Sequence, residues 1–451
     1  MFQNKNVKVL HLTPHLGGGV GTVVRSYLEY CSRNDLFSHS VLSLDTLNSE
    51  SKSLLDGIGI SWVESAFDNY ELIDSLVSGA DIVLMHWWNQ PLLQNLLMTH
   101  SLPLSRVIVW SHISGQPPPN NFSNFILQYP DRFIFTTPLS YYSPEVQALE
   151  RKAQSQIACI WSTAGVERLD RYFAKNEFGL RGRGIVGYAG NLDYSKISND
   201  FFSISDRLKG HVNEMVVIGP MTENFKNDLM GYSDGSHIEA TGYISEDEKF
   251  SRIASFDIFG YPLARHHYGT CDQAIQEAMA FGLPVIVLNN PMESYMVKHG
   301  QTGLIAANSY EYVANVKMLL ANPELRLSLG ENARKFAKSE YSINKLFLSW
   351  KATFLDVLSY PKTEKASLSR MLNKTLLPND VFIASLESYG GLFLAHKQLK
   401  KKQDIDMITA QIGCLKGLPN WSGPTKSTAT HYFQYFKQDE WLSEWSKLTL
   451  V

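Results

Sequence analysis

The stretch FDIFGYPLARHHYGTCDQAIQEAMAFGLPVIVL, residues 256–288, holds two short apolar runs, FDIFGYP (256–262) and LPVIVL (283–288), with a helical segment between them. Short apolar runs bounded by Gly and Pro read as strands buried on both faces, and a helix joining two of them makes a parallel crossover. Working outward, the same alternation recurs in GIVGYAG (184–190), EMVVIG (214–219), IEATGYI (238–244) and TGLIA (302–306). A series of this kind predicts one parallel α/β sheet.

A second series precedes it: VKVLHL (7–12), VLSL (41–44), DIVLMHW (81–87), RVIVW (106–110) and RFIFTT (132–137), with helical spacing in VGTVVRSYLEYC (20–31) and QPLLQNLLM (90–98). Repetition of architecture without repetition of sequence predicts two Rossmann-like domains, at 1–168 and 169–340, facing each other across a cleft. The polar stretch around 168–183 marks the crossing between them. Residues 323–358 are helical in pattern, so 341–361 reads as a crossover helix closed by Pro361. Beyond it, residues 362–451 change character, with the basic run His396-Lys397-Gln398-Leu399-Lys400-Lys401-Lys402 and the aromatic stretch HYFQYFKQDEWLSEW (431–445). That segment reads as a mainly helical extension.

Composition sets the class. With 451 residues, 44% hydrophobic, 19% charged and a net charge of -3, the chain is an ordinary globular protein, and nucleic acid is excluded as an obvious partner. Cys31, Cys159, Cys271 and Cys414 are scattered, without the spacing of a zinc site or a disulfide framework. The opening MFQNKNVKVLHL lacks the apolar core of a secretory signal. A cytoplasmic protein is expected, with peripheral contact at the inner face of a membrane left open by Lys400-Lys401-Lys402.

Two further features bear on chemistry. The first strand runs into Gly17-Gly18-Gly19-Val20-Gly21 and then a helix, a geometry that lets backbone amides at Gly18 and Gly19 approach a phosphate. The spacing is not the dinucleotide fingerprint, which needs a third small residue at Thr22 and an acidic ribose partner. No metal constellation is legible: His266 and His267 are adjacent and point apart, and Asp404-Ile405-Asp406 lies in the helical extension. Neither a metal nor a cofactor is expected.

Glu277-Ala278-Met279-Ala280-Phe281-Gly282-Leu283-Pro284-Val285 resembles the donor-binding segment of family 4 retaining glycosyltransferases, which have the GT-B fold. The resemblance spans about residues 7–358 and is strongest from Gly187 onward. It implies two facing Rossmann-like domains and a nucleotide-diphosphate sugar as donor. It also implies metal-independent transfer with retention of configuration to a saccharide acceptor, for which a glycan or lipid-linked glycan is the preferred setting. Backbone amides from Thr270, Cys271 and Asp272 would lie near the pyrophosphate, and Glu277 would accept hydrogen bonds from the ribose hydroxyls. Lys196 would neutralise charge on the diphosphate, and His112 would touch the donor sugar.

Two positions depart from the family. The first of its two glutamates falls on Gly269, leaving Asp272, or His266, His267 and Tyr268, to meet the sugar. The arginine of its cationic pair falls on Asn191, which donates a hydrogen bond but carries no charge. These departures support a rival reading, a catalytically impaired GT-B protein that serves as a binding or partner subunit.

Overall fold

The computed structural model of the chain describes residues 7–34, 37–173, 182–232, 235–423 and 427–450. The opening hexapeptide and residues 174–181 of the predicted crossing lie outside the described residues. The chain divides into two units, Met1–Ser162 together with Leu346–Val451, and Thr163–Lys345.

In the first unit the strands are β1 (Lys8–Thr13), β2 (Ser38–Ser43), β3 (Ser61–Val63), β4 (Ile82–Trp87), β5 (Leu102–Ser105), β6 (Val107–Ser111), β7 (Arg132–Phe135) and β8 (Ile157–Cys159). Seven of them form a parallel sheet in the order β3-β2-β1-β4-β6-β7-β8. Its central strands are buried throughout, β4 at every residue, which is why they read as unbroken apolar runs. The order reverses between β1 and β4, so the loops after these strands open at the point where α/β sheets receive ligands.

The second unit repeats the plan with β9 (Ile185–Ala189), β10 (Glu214–Ile218), β11 (Ile238–Gly242), β12 (Ile258–Tyr261), β13 (Val285–Leu288) and β14 (Gly303–Ala306). These six lie in the order β11-β10-β9-β12-β13-β14, all parallel, with the reversal between β9 and β12. The helix Gln273–Ala280 links β12 to β13, as the repeating pattern predicts.

The C-terminal segment is helical, with helices at Pro378–Ser385, Gly391–Gln398, Lys402–Cys414, Ala429–Tyr435 and Glu440–Thr449. Phe382, Phe393, Trp421, Tyr432 and Trp445 form its core, so the aromatic stretch near the terminus is packing. Four strands were not foreseen: β3, β5 and β8 in the first unit, and β15 (Thr363–Lys365), which pairs antiparallel with β5. Lys400, Lys401 and Lys402 are exposed. Among the described residues, no helix is long and apolar enough to cross a membrane.

Candidate functional site

In the second unit, two loops leave neighbouring strands at the reversal point and are bonded to each other. The loop after β9 carries Asn191 and Lys196, and the loop after β12 carries residues 262–272. Ser198 N donates to Pro262 O at 2.9 Å and Ala264 N to Lys196 O at 2.8 Å. This clamp aims the Lys196 ammonium at Asp272, with Nζ 3.0 Å from Oδ1 and 5.6 Å from the centre of the Tyr261 ring. Burial opposes the charge on Lys196, but Asp272 beside it, with Tyr268 and Tyr188, outweighs that penalty and holds the amine above the usual lysine value. Burial likewise opposes ionisation of Asp272, and Lys196 and His267 overcome it, leaving the carboxyl below its ordinary value. Asn191 is exposed and hydrogen-bonds the Tyr268 side chain.

Asp272 is the N-cap of the helix Gln273–Ala280, yet its side chain makes no capping bond, because it is turned to Lys196. The helix start is instead closed by the Asp272 backbone, whose carbonyl accepts from Ile275 N at 3.1 Å and Gln276 N at 3.3 Å. Thr270 and Cys271 lie just ahead of this helix end; Cys271 is buried and accepts a bond from Gln276 Nε2 at 3.0 Å.

The structure supplies a reason for glycine at 269. A Cβ there would sit 2.4 Å from His267 Cε1 and 2.8 Å from Asp272 Oδ2. His267 occupies that space because its Nδ1 accepts the Gly269 N–H at 2.8 Å while Nε2 lies 2.8 Å from Glu293 Oε1. With Nδ1 accepting, the ring nitrogen left to carry a proton is Nε2, the atom nearest Glu293. Glu293 is fully buried and braces the loop through this ring. His267, Asp272 and Glu293 bring potential ligand atoms within 4.8 Å of one another, a grouping that escaped the sequence reading because its members come from three separate segments. In the structure those atoms face His267, Glu293 and Lys196 themselves.

Glu277 lies one turn further along, with only 5% of its surface exposed. Arg168 Nη2 donates to its Oε1 at 2.8 Å and Lys249 Nζ to its Oε2 at 3.1 Å, while both cations pack on the Phe250 ring. Neither cation was legible in the sequence, since they lie 109 and 28 residues away from the glutamate they serve.

His112, in the first unit, follows β6 directly, and its N–H donates to Trp87 O at 2.7 Å. Its ring packs against Trp110, with centroids 4.8 Å apart, and burial pushes its pKa down to about 3. His86 is fully buried and lies between His112 and His11, with ring nitrogens 3.2 and 3.0 Å away. Gly18 and Gly19, at the start of the helix Gly18–Asn34, are exposed, and Gly18 takes the left-handed φ of +61° that glycine accepts without strain.

Three outcomes are expected. Gly269→Ala should lower stability by about 1–3 kcal/mol through overpacking against His267 and Asp272, read from denaturant unfolding; an unchanged midpoint would mean the loop has room. Glu277→Ala should cost about 2–3 kcal/mol, toward the low end for a broken buried pair because Arg168 and Lys249 are each about a quarter exposed, and Glu277→Gln should cost less. His11, His86 and His112 all have pKa values depressed below 6.5 by burial, so the unfolded chain binds more protons as pH falls through that value. Stability should fall below about pH 6.5, each ring adding a slope of up to about 1.4 kcal/mol per pH unit; a flat profile from pH 7 to 5 would contradict this.

Residues 170–336 match the family model for glycosyl transferases group 1. Spore coat protein SA of Bacillus subtilis (strain 168) is 27% identical over 190 residues, which are 37% of this chain and 47% of that protein. The putative glycosyltransferase YtcC of the same organism is 22% identical over 387 residues, 77% of this chain and 90% of its own length. Several of the curated relatives that match are spanned over about half their length or less. Anabaena Alr3699/HepE, solved in complex with UDP, is similar with a TM-score of 0.61 at 15% identity, covering 78% of this chain and 100% of that one. A glycosyltransferase from Rickettsia africae ESF-5 gives a TM-score of 0.61 at 14% identity, covering 79% and 100%. Residues 170–336 thus match a group 1 glycosyltransferase domain, in a chain whose two parallel sheets have the GT-B architecture.

Proposed function

We propose that the protein is a retaining, metal-independent glycosyltransferase that moves a sugar from a nucleotide-diphosphate sugar to a glycan or lipid-linked glycan acceptor. The observation that carries this reading is the Lys196–Asp272 pair at the open end of the helix Gln273–Ala280, inside the matched domain. A donor diphosphate is favoured by fixed positive charge and by the positive end of a helix dipole, and these two elements supply both. Lys196, kept protonated by its partner, meets the charge that develops as the bond from the anomeric carbon to the diphosphate oxygen breaks. The acceptor oxygen bonds that carbon from the same face, and its proton passes to the departing phosphate oxygen.

The remaining roles follow the chemistry of each side chain. Glu277 takes the ribose hydroxyls, since a carboxylate has about four acceptor positions and its Oε2 contacts only Lys249 among the cations. Asn191 donates a neutral hydrogen bond, and the amides of Gly18 and Gly19 serve the phosphates. His112 meets the sugar as a neutral ring, in keeping with its depressed pKa. UDP in the Anabaena structure supports a nucleotide donor. The exposed Lys400-Lys401-Lys402 run supports peripheral contact with an anionic membrane on the cytoplasmic side.

The crowding at Gly269 and the uncharged Asn191 favour a second reading, in which the protein binds a nucleotide sugar as a partner subunit without transferring it. One experiment separates the two. Thermal unfolding with UDP, GDP, ADP, CMP and their sugar nucleotides, without metal, should show one nucleotide stabilising the fold by about 2.7 kcal/mol at a hundred times its Kd. The shift should shrink in Glu277→Ala, and Lys196→Ala should cut transfer about a hundredfold. A nucleotide shift without any transfer by the wild type selects the partner-subunit reading, and no shift with any nucleotide overturns both.

A further inference from the structure

Four histidines form a line through the first unit. His39 Nδ1 lies 2.9 Å from His11 Nε2, His11 Nδ1 lies 3.0 Å from His86 Nε2, and His86 Nδ1 lies 3.2 Å from His112 Nε2. The sheet register explains the line. His11 pairs in register with Val41 on β2 and Leu84 on β4, and His86 pairs with Trp110 on β6. His39, His86 and His112 therefore each stand two residues from the in-register position on the next strand. Side chains two apart share a face, so the four rings descend one face of the sheet diagonally, one strand at a time.

The middle of this line is sealed from water. His11 and His86 are fully buried, and His39 and His112 are exposed by 9% and 8%. Tyr27, from the helix Gly18–Asn34, packs 6.3 Å from His11 and 6.1 Å from His39, and Trp110 packs 5.6 Å from His86. Trp350 in turn covers Trp110 at 4.8 Å.

A neutral imidazole has one N–H and one bare nitrogen, so a ring that donates on one side must accept on the other. His11 and His86 each spend both nitrogens inside the line. A donor facing a donor, or two bare nitrogens face to face, would leave buried polar atoms unsatisfied at a cost of about 1–3 kcal/mol. All junctions must then point the same way: either every Nδ1 from His39 to His86 carries the proton, or every Nε2 from His11 to His112 does. In the first case His112 Nδ1 bears the proton and donates outward; in the second it is bare and accepts. Burial lowers the pKa of His11, His86 and His112, which keeps the rings neutral and the rule in force.

We propose that His39, His11, His86 and His112 act as one tautomeric unit that fixes which hydrogen-bonding state His112 Nδ1 presents to the bound sugar, with His11 and His86 as positioning residues. The chemical class recognised is a sugar hydroxyl, and the assignment rests on the placing of His112 at the donor sugar in the function proposed above.

The test has a spectroscopic arm that needs no catalysis. In the full chain labelled with 15N-histidine, His11, His86 and His112 should each show the nitrogen shifts of a single neutral tautomer. His11→Phe keeps a flat aromatic ring, somewhat larger than imidazole, and has no nitrogen to pass on, so it should move the His112 shifts toward a mixture, although His86 stands between the two. His39→Leu, at the far end of the line, makes the same prediction and serves if His11→Phe does not fold. Unchanged His112 shifts in the folded variants overturn the proposal. In steady-state kinetics His11→Phe should lower kcat roughly tenfold to a hundredfold and leave the donor KM unchanged, since a wrongly held imidazole tautomer is known to cost at least that much in other enzymes. Moved shifts without any transfer by the wild type would sustain the tautomeric unit and sink the transferase reading instead.

Discussion

The ion pair between Lys196 and Asp272 is the constraint on which the second unit's open edge depends. Two buried charges gain little net stability from each other, because each has left water to form the pair. Removing one partner would strand the other at a cost of about 3–5 kcal/mol, so the pair acts mainly to specify a geometry. That geometry ties the loop after β9 to the loop after β12 and draws Asp272 away from capping its own helix. It also brings the Asp272 carboxylate against His267, and together they fill the space a side chain at 269 would need. The uncapped helix end and the Asp272 side of the crowding at Gly269 thus follow from a single attraction, while the His267 side is held by Gly269 N–H and Glu293.

The two units solve the problem of buried polarity in opposite ways. The second uses fixed charges paired locally, Lys196 with Asp272 and Arg168 and Lys249 with Glu277. The folded Asp272 pKa lies below 3.8, so its contribution is lost only as pH falls through that depressed value. Lys196 is raised above 10.5, so its contribution is present below that value and lost only as pH rises through the folded value. Between these limits the pair is indifferent to pH. The first unit buries neutral rings whose protonation would break their hydrogen-bond order, and it is the unit that mild acid should strain first. Fixed charge suits a diphosphate, and an uncharged donor or acceptor suits a hydroxyl.

Much of this was legible in the sequence where burial is two-sided. LPVIVL, DIVLMHW and GIVGYAG read as strands because a central parallel strand must be apolar on both faces. The edge strands β3 and β8, three residues each, carry too short a run to stand out; β5 is four residues interrupted by Pro103, and β15 is three residues with Thr363 and Glu364 exposed. Lys196, Asp272 and Glu277 stand in segments singled out by their resemblance to a known family, but Arg168, Lys249 and Glu293 belong to no local pattern. They become neighbours only when the chain closes on itself. The histidine line had a faint signal, since His11, His86 and His112 each stand in or just after an apolar strand. Register decides whether such residues meet, and register is a property of the sheet.

The extension is best understood from where its hydrogen bonds fall. β15 pairs with β5, Arg106 Nε donates to Tyr360 O at 2.6 Å, and Lys365 Nζ lies 2.8 Å from Asp131 Oδ1, so its start is stitched along the first sheet. Its end reaches different ground. Ser427 Oγ donates to Asn89 O at 3.2 Å, and the Tyr435 hydroxyl bonds Asp45 Oδ2 at 3.2 Å. Asp45 follows β2 and Asn89 follows β4, so both contacts lie on loops at the C-terminal edge of the parallel strands, the edge at which α/β domains carry their chemistry. A segment present only for solubility would have no need to be anchored there. Because the aromatic core around Trp445 holds the helices Ala429–Tyr435 and Glu440–Thr449 together, a cavity made in that core would be felt at Asp45 and Asn89. The extension thus belongs physically to the C-terminal edge of the first unit's parallel sheet.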